Sequence, residues 1–389
     1  MKILQRYFAV SIAQAVAFVL VAFLALLAFM DLTSELPSVG KNGYGIEHAF
    51  LYVLILLPGH VYEVMPLAAL IGTIYTMAQF ASSSEFTIMR ASSMSTAMAA
   101  WMLFRIGIVF VIITFIFGEL ITPYTTRLAE KLKLTARGTT VSQEFRSGLW
   151  TKDIVKSDGL SGKVIGSRFF NVREVRPDGQ LIDVKFYEFD TNFRLRSLLV
   201  AARAIYQGDN TWRLQDVTET RFSNPALASA DAEANLKNNF EQESSTVAIR
   251  KSASLDMISE ITPKILLVSS SAPERMSAYE LSLYTHHLAE NRQQTERYNI
   301  AFWKKLIGPL SIFVLMALAL PFAYLHTRSG GVSLKIFIGI MIGVSFILVN
   351  TLFSHLGLLS TWPAFLTAIA PSALFLLLAL GALWWVERH

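Results

Sequence analysis

Not one of the 389 residues is a cysteine. That excludes disulfides and thiolate metal sites, and it leaves the redox compartment open. Charge is scarce as well: 16% of the residues are Asp, Glu, Lys or Arg, against about 25% in a soluble domain. Catalytic signatures are missing. No G-x-x-x-x-G-K-[ST] phosphate loop occurs, and "GLSGKV" (Gly159–Val164) has the wrong spacing for one. Neither H-E-x-x-H nor G-x-S-x-G is present. The chain is therefore a poor fit to an enzyme, and any work it does draws energy from elsewhere. Acids inside the long apolar runs are few, Glu63 and Glu119. Glu119 falls near the end of its run and reads as an interfacial or structural carboxylate rather than an ion-coupling group.

What is abundant is apolar sequence: 53% of the chain, with a mean hydropathy of +0.45. A membrane crossing needs about 20 such residues in succession. Tyr7–Met30 carries no charge and is too long for the core of a signal peptide. Further spans run from about Val64 to Ala81, Ala99 to Thr122 (stopping at Pro123), Ile300 to Tyr324, Leu334 to Phe353 and Pro363 to Val386. "AFLYVLILLPGH", broken at Pro58, reads as an interfacial or kinked helix ahead of the second span. The net charge is +5 and the pI about 9.3. In a membrane chain that balance points to positive-inside loops or anionic lipid, and not to nucleic acid. Lys2, Arg6, Arg90, Arg105, Arg328, Lys335 and Arg388 share one side if six spans are counted, which puts both termini in the cytoplasm.

The segment between the third and fourth spans then lies outside, and it differs in kind. "LIDVKFYEF" (Leu181–Phe189) alternates in part, with Ile182, Val184 and Phe186 on one side. Other short strand candidates surround "PDG" and "GDN" turn signals, and helical periodicity is absent until about Ser277. The pattern predicts an all-β antiparallel sandwich or barrel inserted into a six-span α-helical polytopic protein. Its boundaries follow: residues 1–123 for the first membrane half, 124–272 for the β domain, 273–299 for a connecting helix and 300–389 for the second half. Leu281, Tyr284 and Leu288 give that helix an apolar stripe. His286 and His287 are neighbours that point about 100° apart, so they form no metal pair and read as a solvated face. Phe169, Phe186, Phe189 and Trp212 are candidate interior residues of the sandwich.

One short polar stretch, "QFASSSEFTIMRASSMSTAM" (Gln79–Met98), separates the second and third spans. Phe86 and Met89 are three apart, Glu85 and Met89 four apart, so they share one side of a small helix over 82–96. Together with "MPLAALIGTIYTMAQF" before it and "FGELITP" (Phe117–Pro123) after it, this stretch resembles the LptF/LptG lipopolysaccharide export permeases. The resemblance covers essentially the whole chain. "GLWTKD" (Gly148–Asp153) and "FWKKLIGPLSIFVLMALALPFAY" are more similar to the LptG branch than to LptF. Two positions depart from the family pattern: Ser93 where a glycine is usual, and Ala28 where a lysine can face the lipid.

The resemblance implies a non-catalytic permease subunit in the inner membrane of a Gram-negative bacterium, with its β sandwich a periplasmic jelly-roll domain. Such a subunit extracts lipopolysaccharide and passes it to a periplasmic jelly-roll bridge (LptA). Implied partners are a cytoplasmic ATPase dimer (LptB), which binds the ATP, a paralogous permease (LptF) and a membrane-anchored jelly-roll protein (LptC). No cofactor of its own is implied. The short helix would dock into a groove of the ATPase, with Glu85 paired to a basic residue, Phe86 and Met89 filling the apolar part, and Arg90 beside them. Lipid phosphates would meet cations at the outer rim of an apolar cavity: Lys41, Arg127, Lys131, Lys133, Arg137, Lys304 and Lys305. Gly339 and Gly343, a G-x-x-x-G pair, would lie at a seam with the second permease. The alternative within the family is the LptF-type paralogous subunit, and two other readings compete with lipid extraction: a mechanotransmission protein, and a membrane scaffold that binds periplasmic partners without carrying lipid.

Overall fold

The computed structural model describes residues 2–41, 43–92, 94–137, 148–159, 161–176, 179–223, 246–263, 265–266, 272–324, 332–360 and 362–388. Within them are six helical segments long and apolar enough to cross a membrane, and one inserted β-sheet. The chain divides into two compact units. One comprises Met1–Lys133, Ala272–Thr285 and Gln294–His389, and the other Leu134–Ser271 with His286–Gln293.

In the first unit, α1 (Lys2–Glu35) lies along α2 (Ile46–Ser82). Gly72 allows the approach: a Cβ there would sit 2.7 Å from the Val16 backbone nitrogen. Contrary to the expected break, α2 runs through both Pro58 and Pro66. In an apolar setting a freed carbonyl has no water to turn to, so the helix persists around its prolines. A seven-residue helix, α3 (Glu85–Ala91), follows, then α4 (Thr96–Ile116), whose first turn is capped where Ser95 Oγ accepts from the Met98 amide at 3.2 Å. The third span does not end at Pro123 either. A π-helical turn over Phe117–Ile121 leads into α5 (Thr122–Arg137), in which Pro123 occupies the first turn, where no amide is needed.

The return to this unit is made by α6 (Ala278–Glu290) and α7 (Glu296–Ile307). Then come α8 (Ser311–Ala319), flanked by tight turns at Pro309 and Pro321, α9 (Val332–Leu359) and α10 (Ala364–Arg388). Phe8, Ile12, Leu70, Ile74, Met77, Phe110, Ile312 and Leu315 belong to one buried cluster that joins α1, α2, α4 and α8. Gly339 and Gly343 are also buried, but against Ile74, Leu67 and Leu70 of α2. This corrects their assignment to a seam with another chain. The small residues let α9 close on its own α2, while Phe337, Ile340, Met341 and Leu348 stay exposed.

The second unit holds β1 (Leu149–Asp158), β2 (Ser161–Val175), β3 (Leu181–Asp190), β4 (Leu195–Gly208), β5 (Thr211–Ser223) and β6 (Thr246–Ile258). They pair antiparallel in chain order. Simple alternation does not describe their inward face. Phe170 and Val172 are buried but so is Val175; Val184 and Phe186 but also Leu181; Leu199 and Ala201 but also Ala204; Trp212 and Leu214 but also Val217. The phase changes at one level across all four strands. There the pairing steps from Val172↔Val184 to Glu174↔Ile182, from Val184↔Ala201 to Ile182↔Arg203, and from Ala201↔Val217 to Arg203↔Gln215. Asp183 and Asp216, at that level, have φ of 51° and 53°. A one-residue phase change swaps the faces of a strand. Repeated across a sheet, it is a crease that turns the apolar residues of both halves into one core. Hence Leu181, not Ile182, joins Val184 and Phe186 inside.

Phe186 and Trp212 are fully buried, and the Trp212 indole donates to the Ile261 carbonyl at 2.7 Å. Phe169 and Phe189 are only half-buried and meet edge to face at 5.6 Å. Asp153 is wholly buried and accepts from the Ser259 hydroxyl; burial pushes its carboxyl up to about 6. His287 is buried too, which corrects the solvated reading, and desolvation lowers its pKa. Its neighbour His286 is exposed and lies 3.3 Å from Glu290.

Candidate functional site

The residues around α3 show how a helix this short is held. Two turns of helix have little stability of their own. Glu85 in the first turn and Arg90 in the last suit the helix dipole. The larger contribution is packing. Phe86 is 2% exposed and Met89 8%, both in the main buried cluster with Phe8, Phe80, Met94 and Ala319. Phe86 meets the Tyr324 ring edge to face at 5.0 Å, and the Arg90 guanidinium lies 4.9 Å from the centre of the same ring. The Tyr324 hydroxyl donates to Thr96 at 2.8 Å.

Phe86 and Met89 are therefore core, which corrects their assignment to a partner's groove. Spacing of three puts both on one face, and that face is the inner one. The outer face consists of Thr87, Ile88, Arg90 and Ala91, with Ile88 63% exposed. Sequence reasoning passed over Ile88. Its signal was the presence of apolar residues on two sides of "EFTIMRA", of which the aromatic side packs inward. Glu85 is half-buried at the start of the helix. Its Oε2 accepts from the Tyr7 hydroxyl at 3.0 Å and its Oε1 from Ser83 Oγ at 2.9 Å. Ser93 lies outside the described residues.

Beside Tyr7 and Glu85 opens a cleft of about 600 Å³ between α1, α2 and α9. Phe18, Ile71, Phe80 and Ile336 supply its apolar wall, and Ser11, Gln14, Thr76 and Gln79 its polar one. Ala28, farther along α1, packs against the small cluster of Tyr52, Val53, Leu56 and Ala129.

The expected lipid-facing cations fall into two groups. Lys133 is engaged: its Nζ lies 2.6 Å from Glu35 Oε1 and 4.8 Å from the centre of the Tyr52 ring. Lys305 is 3% exposed, over the Tyr62 ring at 4.5 Å. Lys304 is half-buried and reaches the Asn350 carbonyl at 3.5 Å. These three are not rim cations in this structure, because a lysine held inside a bundle needs internal compensation and here finds it. Lys41, Arg127 and Lys131 do remain at the surface, Arg127 with Glu280 at 3.5 Å. The Arg137 side chain lies outside the described residues.

Glu119 has a structural task. Thrown sideways by the π-helical turn, its Oε2 accepts from the Ala278 amide at 2.9 Å, at the start of α6. Nearby, His60 Nε2 lies 2.7 Å from Asp31, joining α2 to α1. Among the described residues no group of three or more His, Asp or Glu side chains is arranged to hold a metal ion.

Comparison with known proteins follows these features along the whole chain. The sequence profile described as "Lipopolysaccharide export system permease LptF/LptG" matches residues 6–387. The chain is 27% identical over 384 residues to the lipopolysaccharide export system permease protein LptG of Haemophilus influenzae, covering 98% of this chain and 97% of that one. It is 28% identical over 382 residues to the Escherichia coli protein of the same name, covering 98% of each.

Proposed function

The chain belongs to the lipopolysaccharide export system permease LptF/LptG family, a family of multi-pass inner-membrane proteins, and on that premise we propose that it is an LptG-type subunit. It extracts lipopolysaccharide from the inner membrane and passes it to a periplasmic jelly-roll bridge. Its ATP is hydrolysed elsewhere, by a cytoplasmic ATPase dimer docked on α3. The paralogous permease completes the lipid path, and a membrane-anchored jelly-roll protein joins the β domain. Both termini and α3 are cytoplasmic, and the creased sheet is periplasmic. The LptG branch is favoured by the names of the relatives.

The observation that carries this reading is the way α3 is rooted. Phe86 and Met89 sink into a cluster shared by α1, α2, α4 and α8. A force applied to the outer face of α3 therefore reaches four helices at once, because close-packed interiors transmit displacement. Ile88 supplies the apolar anchor for the ATPase groove and Glu85 the charge that pairs with a basic residue there. Of the candidate cations, Lys41, Arg127 and Lys131 are exposed and meet lipid phosphates, and Arg137, whose side chain lies outside the described residues, stays in that set.

Reversing the charge at Glu85 tests the reading. Glu85→Lys leaves the subunit folded and the complex assembled in detergent, while lipid release per ATP falls. Wild-type release per ATP by that variant would remove the proposed role of α3.

A further inference from the structure

We infer that Tyr7 is the positioning residue for Glu85, and that the bond between them drives α1 directly from the ATPase rather than through α2 alone. The inference rests on the docking role just proposed for Glu85 and adds a residue 78 positions away in sequence.

The geometry is one of two donors on one carboxylate. The Tyr7 hydroxyl approaches Oε2 at 3.0 Å, and the Ser83 hydroxyl, whose single proton is shared with the Gln79 carbonyl at 3.0 Å, approaches Oε1 at 2.9 Å. One donor per oxygen fixes the carboxylate plane and leaves the remaining lone pairs for an incoming cation. A long, flexible side chain held this way before docking loses less freedom when the partner arrives. Of the two donors, Ser83 is local and carries no force beyond the turn. Tyr7 stands on another span.

Tyr7 is itself anchored. Its ring stacks on Phe80 at 5.5 Å, while the next residue, Phe8, is fully buried and meets the same Phe80 ring at 5.0 Å. The start of α1 thus grips the end of α2 through two adjacent aromatics, and its hydroxyl reaches past that contact to α3.

The need for such a link comes from packing. Across its most apolar stretch only 17% of α1 is buried within the chain, against 61% for the span built from α7 and α8. What packing α1 has within the chain lies mainly along α2, so α1 follows α2 and has little contact with the other spans. A hydrogen bond to the docking charge gives α1 its own connection. The cleft lined by Tyr7, Phe18, Gln79 and Glu85 lies beside that junction, so the side chains that tie α1 to α3 also form a wall that opens or closes as α1 moves.

The test is a double-mutant cycle in the assembled transporter, with lipid release per ATP hydrolysed as the readout. Tyr7→Phe keeps the ring on Phe80 and removes only the hydroxyl. Release per ATP falls about fivefold, the scale of one charge-assisted bond at a half-exposed site, with no change in the thermal midpoint of the complex. On a Glu85→Ala background the same change has no further effect; with Glu85 in place, a ring-fluorinated tyrosine at position 7, which keeps the hydroxyl, restores release. Wild-type release from Tyr7→Phe, with Glu85→Ala uncoupled, overturns the inference and leaves the docking role standing. A fivefold loss that persists on Glu85→Ala also overturns it, because Tyr7 then acts through another group. Normal release from Glu85→Ala would instead sink the docking role on which both depend.

Discussion

Truncating Phe86 and truncating Ile88 have opposite consequences, although the two residues are only two positions apart. Phe86 is 2% exposed, in edge contact with Tyr324 and clustered with Phe8 and Phe80; Ile88 is 63% exposed. Burying a phenylalanine and then deleting it costs about 3–5 kcal/mol through lost contacts and residual cavity. Because α3 has only seven residues, that loss falls on its local opening rather than on the whole chain. A loss of about 3 kcal/mol corresponds to roughly 100-fold faster amide exchange. Phe86→Ala in the complete protein in detergent therefore speeds exchange across residues 85–91 by about two orders of magnitude, up to the limit of the open chain. Ile88→Ala changes exchange in the free subunit by about twofold at most, the scale of an exposed substitution. It weakens ATPase binding by about tenfold or more, since only docking buries that side chain. Hydrogen-exchange mass spectrometry and ATPase titration read both effects. If Phe86→Ala left exchange untouched while abolishing ATPase binding, the packing of α3 described above would be inverted and Phe86 would face the partner.

Other substitutions probe the remaining parts of the structure. Asp153 has its carboxyl raised to about 6 by burial, above the usual carboxylate range. A raised acid stabilises the fold fully below its unfolded pKa of about 4 and loses that contribution as pH rises through 6. Asp153→Asn thus stabilises the fold at pH 8 by at most roughly 3 kcal/mol, read as a raised thermal midpoint, and the gain shrinks at pH 5; a gain independent of pH would deny the burial effect. Lys133→Met leaves Glu35 part-buried without its lysine and destabilises the complex by about 1–3 kcal/mol, with most of the loss recovered by adding Glu35→Gln. An unchanged thermal midpoint, with weaker crosslinking to lipopolysaccharide, would return Lys133 to the lipid rim.

The sequence and the structure agree where local chemistry decides the outcome. Six apolar runs became six helical segments because the apolar length of a segment is itself the signal, and the stripe of Leu281, Tyr284 and Leu288 is buried as its spacing required. The prolines misled. Pro58 and Pro123 read as breaks by the rules for helices in water, but α2 runs through Pro58 and Pro123 falls in the first turn of α5, where no amide is needed. The crease was invisible because "LIDVKFYEF" was read as one alternating strand, whereas Asp183 changes its phase midway. At the site, Glu85 and the short helix were legible from charge and spacing. Which face of that helix turns inward was not, since Phe86 and Ile88 are both apolar and only the rings of Phe8, Phe80 and Tyr324 decide between them. The lysines were misjudged for a related reason. A cation expected at a rim was taken to serve the ligand, and the Glu35 that meets Lys133 stands 98 positions away in sequence.

The central claim is that one chain presents α3 to the cytoplasm and the creased sheet to the periplasm. The absence of native cysteine makes this directly measurable with single-cysteine variants. Thr87→Cys on the outer face of α3 and Thr191→Cys in the turn between β3 and β4 are both at exposed positions. A membrane-impermeant maleimide applied to cells with a permeabilised outer membrane labels position 191 and spares position 87. In inverted inner-membrane vesicles stripped of the ATPase it labels position 87, and adding the ATPase back suppresses that labelling. Equal labelling of both positions from the same side would contradict the account.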